Sequence, residues 1–600
     1  MVYRSRVWFP VAPDAKPMQI ADRSYDLSQV DFSNSIDSLL QRIYQSRGVN
    51  CEADLSLQLA GLPSPDSLMA IEAAVEHLIA VLHAQQRVLI VGDFDADGAT
   101  STALMILALT AMGYKHVDFL VPNRFEYGYG LTPEIVELAR SQKPDLIITV
   151  DNGISSLEGV AQAKQLGIEV LVTDHHLPGA ELPDAVAIVN PNQPGCEFPS
   201  KNLAGVAVAF YLLSALRAEL RRQNWFVEQN IAEPTMAGWL DLVALGTVAD
   251  VVPLDRVNRT LVYQGLMRIR AGHARPGIKA LLRIAGKNPA RLGASDLGFA
   301  IGPRLNAAGR LDDMSVGIQC LLTEDANTAL QLAQGLDELN QERRSIEQEM
   351  QIEAATIVDT MALDSGPLPV ALTLYQADWH QGVIGLLASR IREKYHRPVA
   401  VFARDDSGVL KGSLRSIPGL HIRDTLDAIA TRNPGLISKF GGHAMAAGLS
   451  LEETALEPFE QAFSDQVANS ISEDDLQVRL ITDGNLQVDQ ISMRTAQLLN
   501  DAGPWGQLFP EPCFEGLFVI KQQRIVGEKH LKLQLTPETS ERLIEAIYFN
   551  VDLQKWPTEQ SRVRCVYRLD INEYRGRENL QLIIQYMEPC GDSYQRDEEV

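Results

Sequence analysis

Three aspartates follow a short apolar run near residue 90. Residues 88–91 (VLIV) predict a buried strand, and Asp93, Asp95 and Asp97 come directly after it. If this segment stays extended, alternate side chains share one face, so the three carboxylates point into one small volume. Carboxylates that lie so close together either raise one another's pKa or bind a cation. A hard divalent metal keeps several of them ionised. The stretch therefore predicts a metal site, with an acidic, solvated turn as the alternative.

Further acidic and imidazole residues follow later apolar runs. Residues 151–153 (DNG) follow DLIITV, residues 174–176 (DHH) follow EVLVT, and Asp250 follows the helical run ALGTVA. Ligands of a parallel sheet bind beyond the carboxyl ends of its strands, so these clusters are expected to meet at one edge. A histidine pair after a strand is by itself more often structural, but its place beside Asp174 favours a ligand role.

The elements that must position these residues alternate between strand and helix from residue 87 to about residue 190. This alternation predicts an α/β fold whose mostly parallel sheet is covered by helices on both faces. The predicted strands are RVLIV, HVDFLVP, DLIITV, EVLVTD and AVAIVN, and the predicted helices between them cover residues 100–112, 133–141 and 156–166.

Length and composition set the class of protein. A chain of 600 residues is too long for one core, which predicts three or more domains. The net charge of -24 disfavours a nucleic-acid-binding coat over the whole surface but leaves room for a local groove. Six cysteines without a C-x-x-C pair suggest neither a zinc site nor a disulfide framework. No apolar run is long enough for a signal peptide or a membrane span, so we expect a cytoplasmic protein without a membrane partner.

One segment departs from the acidic average. Residues 256–310 contain eleven lysines and arginines and a single acid, Asp296. A solvated helical face explains scattered charge better than this one-sided charge, so the segment predicts a track for a polyanion such as DNA.

Four motifs occur in a fixed order: GDFDADG at 92–98, VDNG at 150–153, TDHH at 173–176 and GTVADVVPL at 246–254. Together they resemble the metal motifs of the DHH phosphoesterase superfamily. With GPRLNAAGR at 302–310 and GGHAMAAG at 441–448, the chain resembles the RecJ family of bacterial single-stranded-DNA-specific exonucleases over roughly residues 85–590.

The resemblance implies two divalent ions, Mn²⁺ or Mg²⁺, bridged by one carboxylate that falls on Asp151. The other implied ligands are Asp93, Asp95, Asp97, His175 and Asp250. His176 would contact the scissile phosphate or assist the leaving oxygen, and Asp174 would orient the imidazoles. Two such ions lower the pKa of a bridging water and stabilise the attacking and leaving oxygens.

The resemblance also nominates DNA-contacting residues. In GPRLNAAGR they are Arg304, Asn306 and Arg310. Arg124 is a further candidate for a phosphate contact, while the nearby Tyr127 and Tyr129 would either stack on bases or close a hydrophobic lid. Candidates for holding a 5′-terminal phosphate, in GSLRS and KFGGHAMAAG, are Ser413, Arg415, Gly441, Gly442 and His443.

Five regions follow from these patterns. They are an N-terminal arm with helices (1–85), the DHH catalytic domain (86–322), a connecting helix with Thr323 as its N-cap (323–362), a second α/β domain of the DHHA1 type (363–465) and an OB-fold (470–590). The OB-fold rests on a change to five or six strands, the first of them RLITD, and such barrels bind single strands.

The resemblance implies a metal-dependent exonuclease that removes nucleotides from the 5′ end of single-stranded DNA in recombination and repair. It is expected to act as a monomer with a helicase and a single-stranded-DNA-binding protein. The direction of digestion follows from the resemblance alone. The alternatives are a DHH phosphodiesterase of short oligonucleotides or cyclic dinucleotides, and an inactive DNA-binding scaffold that would have lost its metal ligands.

Overall fold

The structure, a computed structural model, describes residues 18–25, 30–33, 36–365, 368–553, 556–574 and 576–590. Its contacts divide the chain into two compact units. Among the described residues, the first contains those from 30 to 341 together with the separate stretch 501–511, and the second contains 18–25, those from 342 to 500 and those from 512 to 590.

A five-stranded parallel sheet organises the first unit. Its strands, in spatial order, are Val117–Leu120, Val88–Gly92, Leu146–Val150, Glu169–Thr173 and Ala187–Val189. Every residue of the two strands beginning at Val88 and Leu146 is buried, as expected of a sheet covered on both faces. The five predicted strands and the parallel sheet are confirmed.

Helices cover the sheet and extend beyond it. In chain order they are Ser38–Gln45, Ile71–Ala84, Ala96–Met112, Arg124–Tyr127, Pro133–Arg140, Leu157–Gln165, Gly205–Arg222, Trp225–Glu228, Leu240–Ala249, Arg256–Arg270, Pro276–Ile284, Ala294–Asp296, Gly302–Leu311 and Ser315–Leu322, with a π-helix at Leu297–Ile301. The long apolar helices that begin at Ala96 and Gly205 are largely buried.

The stretch 501–511, which we call the strap, packs within the first unit although it lies far along the chain. The Leu254 amide donates to the Gln507 carbonyl at 2.8 Å, and the Tyr44 hydroxyl donates to the Ala502 carbonyl at 3.0 Å. Trp505 stacks on Phe509 with ring centroids 5.2 Å apart. The strap thus fastens the segment that follows Asp250 to an N-terminal helix.

A helix of 40 residues, Ala326–Ser365, follows the first unit's last short helix. The prediction that Thr323 caps it is wrong. Thr323 ends the preceding helix, Ser315–Leu322, and the side chain of Asp325 accepts the Thr328 amide at 2.8 Å. A carboxylate accepts an amide hydrogen bond more strongly than a hydroxyl does and also favours the positive end of the helix dipole.

The second unit contains a mixed sheet flanked by helices. Its strands, in spatial order, are Lys439–Gly442, Ala446–Glu452, Val409–Arg415, Val399–Arg404 and Leu372–Tyr375. Only the last pair is parallel. The helices are Ile384–Tyr395, Ile422–Arg432 and Leu456–Ala468, and the core between helices and sheet includes Phe402, Phe459 and Phe463. This confirms the predicted second α/β domain.

A closed five-stranded barrel ends the described chain. Its strands, in order around the barrel, are Phe514–Val526, His530–Pro537, Ile544–Tyr548, Arg577–Pro589 and Arg562–Tyr574. The barrel is confirmed, but RLITD is not part of it. Arg479–Thr482 instead pairs in parallel with Gln19–Asp22, and a short helix, Met493–Asp501, lies between that strand and the barrel.

Within the described ranges, no single helix is long and apolar enough to cross a membrane. One bent pair, 59–67 with 71–84, meets the requirement of length and composition only when its two parts are taken together.

Candidate metal centre

Asp93, Asp95 and Asp97 converge through a strand-to-helix turn and not through an extended segment. The helix begins at Ala96, earlier than predicted, and Asp95 is its N-cap. The Asp95 carboxylate accepts the amides of Asp97 and Gly98 at 2.9 and 3.0 Å. The expectation of an extended segment was wrong because these amide hydrogen bonds stabilise a helix start directly after Asp95.

Two backbone amides hold Asp97, which is fully buried in the first helical turn. Gly205 and Val206, at the start of the helix Gly205–Arg222, donate to its carboxylate oxygens at 2.6 and 3.0 Å. A helix N-terminus favours a carboxylate because its amides are unpaired and its dipole is positive there. A Cβ on Gly205 would lie 2.7 Å from the Asp151 Cβ, so the helix approaches this closely only because residue 205 is glycine.

Three buried atoms face one another without hydrogen-bond partners. His175 Nε2 lies 3.1 Å from Asp151 Oδ1 and 3.5 Å from Asp250 Oδ2, yet none of the three atoms makes a hydrogen bond. Leaving buried polar atoms unsatisfied is unfavourable, so such a set fits a bound cation. One imidazole nitrogen with carboxylate oxygens suits Mn²⁺, and carboxylates also suit Mg²⁺.

The possible ligand atoms fall into three overlapping groups, each within 4.8 Å. One contains Asp151, His175 and His176. The other two are Asp97 with His175 and Asp250, and Asp93 with Asp95 and Asp151. Because Asp151 and His175 each belong to two groups, the arrangement fits more than one ion. The structure thus brings together all six metal ligands that the sequence predicted.

Asp174 faces the histidines and not the three unpaired atoms. Its Oδ1 accepts the amides of His175 and His176 at 2.7 and 3.0 Å and lies 2.8 Å from His176 Nδ1. Its Oδ2 accepts the Ile154 amide at 2.9 Å. With its oxygens so occupied, Asp174 fixes the orientation of the His176 ring.

Three further residues touch the histidine pair: Tyr129, for which the sequence suggested base stacking or a lid, and Asn190 and Asn192, which sequence reasoning overlooked. The Tyr129 hydroxyl lies 3.1 Å from His176 Nδ1 and 3.1 Å from the Asp151 carbonyl. The side-chain amides of Asn190 and Asn192 donate to the carbonyls of His176 and His175 at 3.0 and 2.6 Å. The available signal was the position of Asn190 and Asn192, which follow the last strand of the sheet as the other site residues follow theirs.

Burial and crowding shift the pKa values of the cluster. Burial and the Asp250 carboxylate raise the pKa of Asp97 to about 7, and burial with Asp95 raises that of Asp250 to about 7. Burial and Asp97 raise the pKa of Asp151 well above its ordinary value. A carboxylate stays neutral where solvation is lost and like charges are near, so the metal-free cluster retains protons near neutral pH.

The two histidines have pKa values shifted in opposite directions. Burial and the charge on His176 lower the pKa of His175. Burial also disfavours the charge on His176, but the hydrogen bond to Asp174 and the nearby carboxylates of Asp174, Asp250 and Asp93 together outweigh burial and raise its pKa to about 9. Neutral His175 is the form that binds metal, whereas charged His176 is a hydrogen-bond donor.

GPRLNAAGR packs beneath the metal-binding turn. Asn306 Oδ1 accepts the Ala96 amide at 2.7 Å, and a Cβ on Gly309 would lie 1.7 Å from the Phe94 carbonyl oxygen. Arg304 is only 8% exposed and is engaged by Asp337 at 2.7 Å and the Ala300 carbonyl at 2.6 Å. Two of the residues nominated for DNA, Asn306 and Arg304, thus have structural partners, while Arg310 is partly exposed.

Much of the basic charge in residues 256–310 is balanced by acids within the first unit. The ion pairs are Arg256 with Asp54, Arg275 with Glu324, Lys287 with Asp296 and Arg304 with Asp337. All but one of these acids lie outside the segment, which is why it looked one-sided in sequence. Lys279 and Arg283 are exposed and remain candidates for a polyanion track.

The phosphate candidates of the second unit include a partly buried guanidinium, that of Arg415. Arg415 donates to the hydroxyls of Ser389 and Ser413, both at 3.1 Å, and to the Leu414 carbonyl at 2.8 Å. Burial and Arg392 lower its pKa to about 10, and no carboxylate lies within ion-pair distance of it among the described residues.

The glycine candidates lie on the edge strand of that sheet. Gly441 and Gly442 end the strand Lys439–Gly442, which pairs with Ala446–Glu452, and the His443 amide donates to the Ala446 carbonyl at 2.8 Å. Arg124 begins a short helix, and its side chain lies outside the described part of the structure.

The fold and the site define a class. Aspartates and histidines at the carboxyl edge of a parallel sheet, followed by a mixed α/β domain and a barrel, are the parts of a DHH phosphoesterase. Family models agree with this division: the DHH family N-terminal domain matches residues 87–247, the DHHA1 domain matches 369–469 and the RecJ OB domain matches 482–586.

Similarity to individual proteins identifies the family of this chain within the DHH phosphoesterases. The chain is 56% identical to the single-stranded-DNA-specific exonuclease RecJ of Salmonella typhimurium, over 92% of this chain and 96% of the relative. It is 54% identical to the Escherichia coli protein of that name, over 95% and 99%. The chain therefore belongs to the RecJ family. Its fold also matches a crystal structure of Thermus thermophilus RecJ in complex with Mn²⁺, with 28% identity and a TM-score of 0.77 over 96% of this chain and 80% of that one.

The raised carboxyl pKa values predict how stability depends on pH. Protons on Asp97 and Asp250 stabilise the metal-free fold fully below about pH 4, and this contribution is lost as pH rises through about 7. We expect a lower Tm in EDTA at about pH 8 than at about pH 5, and a larger rise in Tm on adding Mn²⁺ at the higher pH, measured by circular dichroism. The matched control is Asp250→Asn, which cannot ionise and should show a smaller pH dependence. An unchanged pH dependence in that variant would contradict the assignment.

The close contact at Gly309 predicts that Gly309→Ala displaces the turn that carries Asp93 and Asp95. We expect a lower Tm and at least tenfold weaker Mn²⁺ binding by isothermal titration calorimetry, because the added methyl group meets backbone. Gly335→Ala is the control, since its helical position has nothing within 4 Å and should gain about 0.5–1 kcal/mol. An equal Tm and an equal Mn²⁺ affinity for Gly309→Ala and Gly335→Ala would show that the contact between Gly309 and Phe94 does not support the metal centre.

Proposed function

We propose that this protein is a metal-dependent exonuclease that hydrolyses phosphodiester bonds of single-stranded DNA from the 5′ end, in recombination and repair. The observation that carries the proposal is the set of three buried, unpaired atoms on Asp151, His175 and Asp250. The name of its relatives, single-stranded-DNA-specific exonuclease, supports the substrate. An inactive scaffold would have lost such ligands, and here all of them are present.

In this proposal, Asp151 would be shared by two ions, because its carboxylate belongs to two groups of ligand atoms, one with Asp93 and Asp95 and one with the histidine pair. Asp97 and Asp250 form a further group with His175. Bound Mn²⁺ or Mg²⁺ would lower the pKa of an attacking water and offset the charge on the phosphoryl oxygens. The protein contributes a preorganised arrangement, since backbone amides hold Asp95 and Asp97 before substrate arrives.

His176 is the proposed contact to the scissile phosphate. Asp174 orients its ring and raises its pKa to about 9, so that the imidazole is charged at neutral pH. A charged imidazole donates a strong hydrogen bond to a phosphate oxygen and can give a proton to the leaving oxygen. Tyr129, within 3.1 Å of the ring, limits its rotation.

The 5′ polarity is supported by Arg415. Its partly buried guanidinium, which has no carboxylate partner among the described residues and lies beside the hydroxyls of Ser389 and Ser413, suits a terminal phosphate dianion. Gly441, Gly442 and His443 complete the proposed phosphate-binding residues. Among the other DNA candidates, Arg310 remains a proposed DNA contact, whereas Arg304 and Asn306 are assigned to holding the fold of the site.

The proposed context is a monomer in the cytoplasm that degrades strands made available by a helicase and coated by a single-stranded-DNA-binding protein. All six cysteines are free, which is compatible with a reducing compartment.

The direct test is digestion of an oligonucleotide labelled at the 5′ or the 3′ end, with Mn²⁺ or with EDTA, beside a blunt duplex. We expect early mononucleotide release from the 5′ label, only with metal and only from single strands. Asp151→Asn is the matched variant, because asparagine tolerates the positive φ of 62° at this position while lacking the charge. It should bind DNA and fail to cut it. Early release from the 3′ label would overturn the polarity, and cleavage by Asp151→Asn at the wild-type rate would overturn the site.

The role of Arg415 predicts a preference between substrates. We expect faster digestion of a 5′-phosphorylated than of a 5′-hydroxyl strand, and Arg415→Met should reduce that preference by about 10- to 100-fold in kcat/KM, the value of charge-assisted hydrogen bonds. The control is Arg404→Met, an exposed arginine of the same sheet that faces Glu453. If Arg415→Met and Arg404→Met show the same preference for the 5′-phosphorylated over the 5′-hydroxyl strand, Arg415 does not bind the terminal phosphate.

A further inference from the structure

A cavity of about 230 Å³ lies in the first unit, between the helix Arg256–Arg270, residues 55–58 and the start of the strap. Tyr44, Arg259 and Tyr263 line it, with Ser56, Gln58 and Asp501 exposed around it. None of these residues belongs to the metal centre or to the phosphate candidates around Arg415. The cavity therefore has no part in the proposed cleavage reaction.

Arg259 places a positive charge in the wall of the cavity. The residue is only 5% exposed, and its Nε has no hydrogen-bond partner. Its guanidinium carbon lies 4.3 Å from the centre of the Phe509 ring, and Nη2 makes one long contact of 3.4 Å with the Asp54 carbonyl. Neighbouring basic residues of the same segment, such as Arg256 and Arg275, are paired with acids, whereas Arg259 has no ion pair among the described residues.

A buried guanidinium in this state is energetically unfavourable unless an anion joins it. Removing a cation from water is costly, and one aromatic face with one carbonyl compensates for it only in part. Burial accordingly holds the pKa of Arg259 below its usual range. Because Arg259 lines an open cavity, an anion can reach it without rearrangement of the core.

The remaining walls suit a ring attached to that anion. The Tyr44 ring lies 6.4 Å from that of Phe509 and is held by its hydroxyl bond to Ala502, so that wall is rigid. Tyr263 adds a second ring, and Ser56 and Gln58 add a hydroxyl and an amide at the opening. Aromatic faces with amide and hydroxyl groups are the usual contacts of a nucleoside. Asp501 at the rim disfavours extended polyanions, which favours a small ligand.

We propose that this cavity is a second phosphate-binding site, in which Arg259 holds the phosphate group of a small molecule, either inorganic phosphate or a nucleoside monophosphate. The second source rests on the proposed function, since the exonuclease releases mononucleotides. The guanidinium fork matches two phosphate oxygens, and the anion supplies the charge that Arg259 lacks.

The test is isothermal titration calorimetry of the full-length protein in EDTA with inorganic phosphate, thymidine 5′-monophosphate and thymidine. Arg415→Met serves as the background, so that the other proposed phosphate site does not contribute. We expect phosphate and the monophosphate to bind and thymidine to bind at least tenfold more weakly than the monophosphate. Tighter binding of the monophosphate than of phosphate would identify a nucleotide site, and equal binding would identify a site for phosphate alone.

Two variants locate the binding. Arg259→Met, in that background, should weaken it at least tenfold, while Arg256→Met, an exposed neighbour on the same helix, should leave it unchanged. Ser56→Trp covers the opening from an exposed position and should also weaken binding, which keeps the test decisive if Arg259→Met does not fold.

Absence of binding, or binding that survives both Arg259→Met and Ser56→Trp, would overturn the proposal. Because the readout is binding without metal, the outcome is independent of whether the enzyme digests DNA from its 5′ end.

Discussion

Repulsion among buried carboxylates is the constraint on which the catalytic unit depends. Asp93, Asp95, Asp97, Asp151 and Asp250 lie so close together that, without metal, several of them hold protons near neutral pH. A fold that keeps such groups together must have a rigid framework, because any loosening would let them separate into water. The parallel sheet provides it: side chains from several strands meet where those strands end.

The framework is made of backbone more than of side chains. Amides at helix starts hold Asp95 and Asp97, and glycines let the surrounding helices approach: Gly205 meets Asp151, and Gly309 meets Phe94. The amides at Asp95 use only its Oδ1 and leave Oδ2 available for an ion. The asparagines after the last strand hold the histidine pair in a similar way, since they bind its backbone carbonyls and not its rings.

The sequence was sufficient to predict the parallel sheet, the barrel and the gathering of acidic and imidazole residues at one edge of the sheet. The sheet and this edge rest on a local pattern, an apolar strand followed at once by polar residues. It was insufficient where a partner lies far along the chain. The ion pair of Arg304 with Asp337 could not be predicted because the two residues are distant in sequence, and RLITD looked like a barrel strand because its partner, Gln19–Asp22, belongs to the N-terminal arm. The sequence could not decide between Thr323 and Asp325, because both residue types are good N-caps. The hydrogen bond from the Thr328 amide identifies Asp325 as the cap.

The strap has a consequence for how the protein is made. Leu254, four residues after Asp250, has its amide satisfied by Gln507, and the Tyr44 ring lies near the rings of Trp505 and Phe509 in the strap. During synthesis the first unit emerges from the ribosome long before residues 501–511 exist. Until most of the second unit has been translated, the first unit therefore lacks the contacts that the strap makes with Leu254 and Tyr44. The packing of the first unit is in this way tied to translation as far as residue 511, and a product that ends before the strap lacks these contacts.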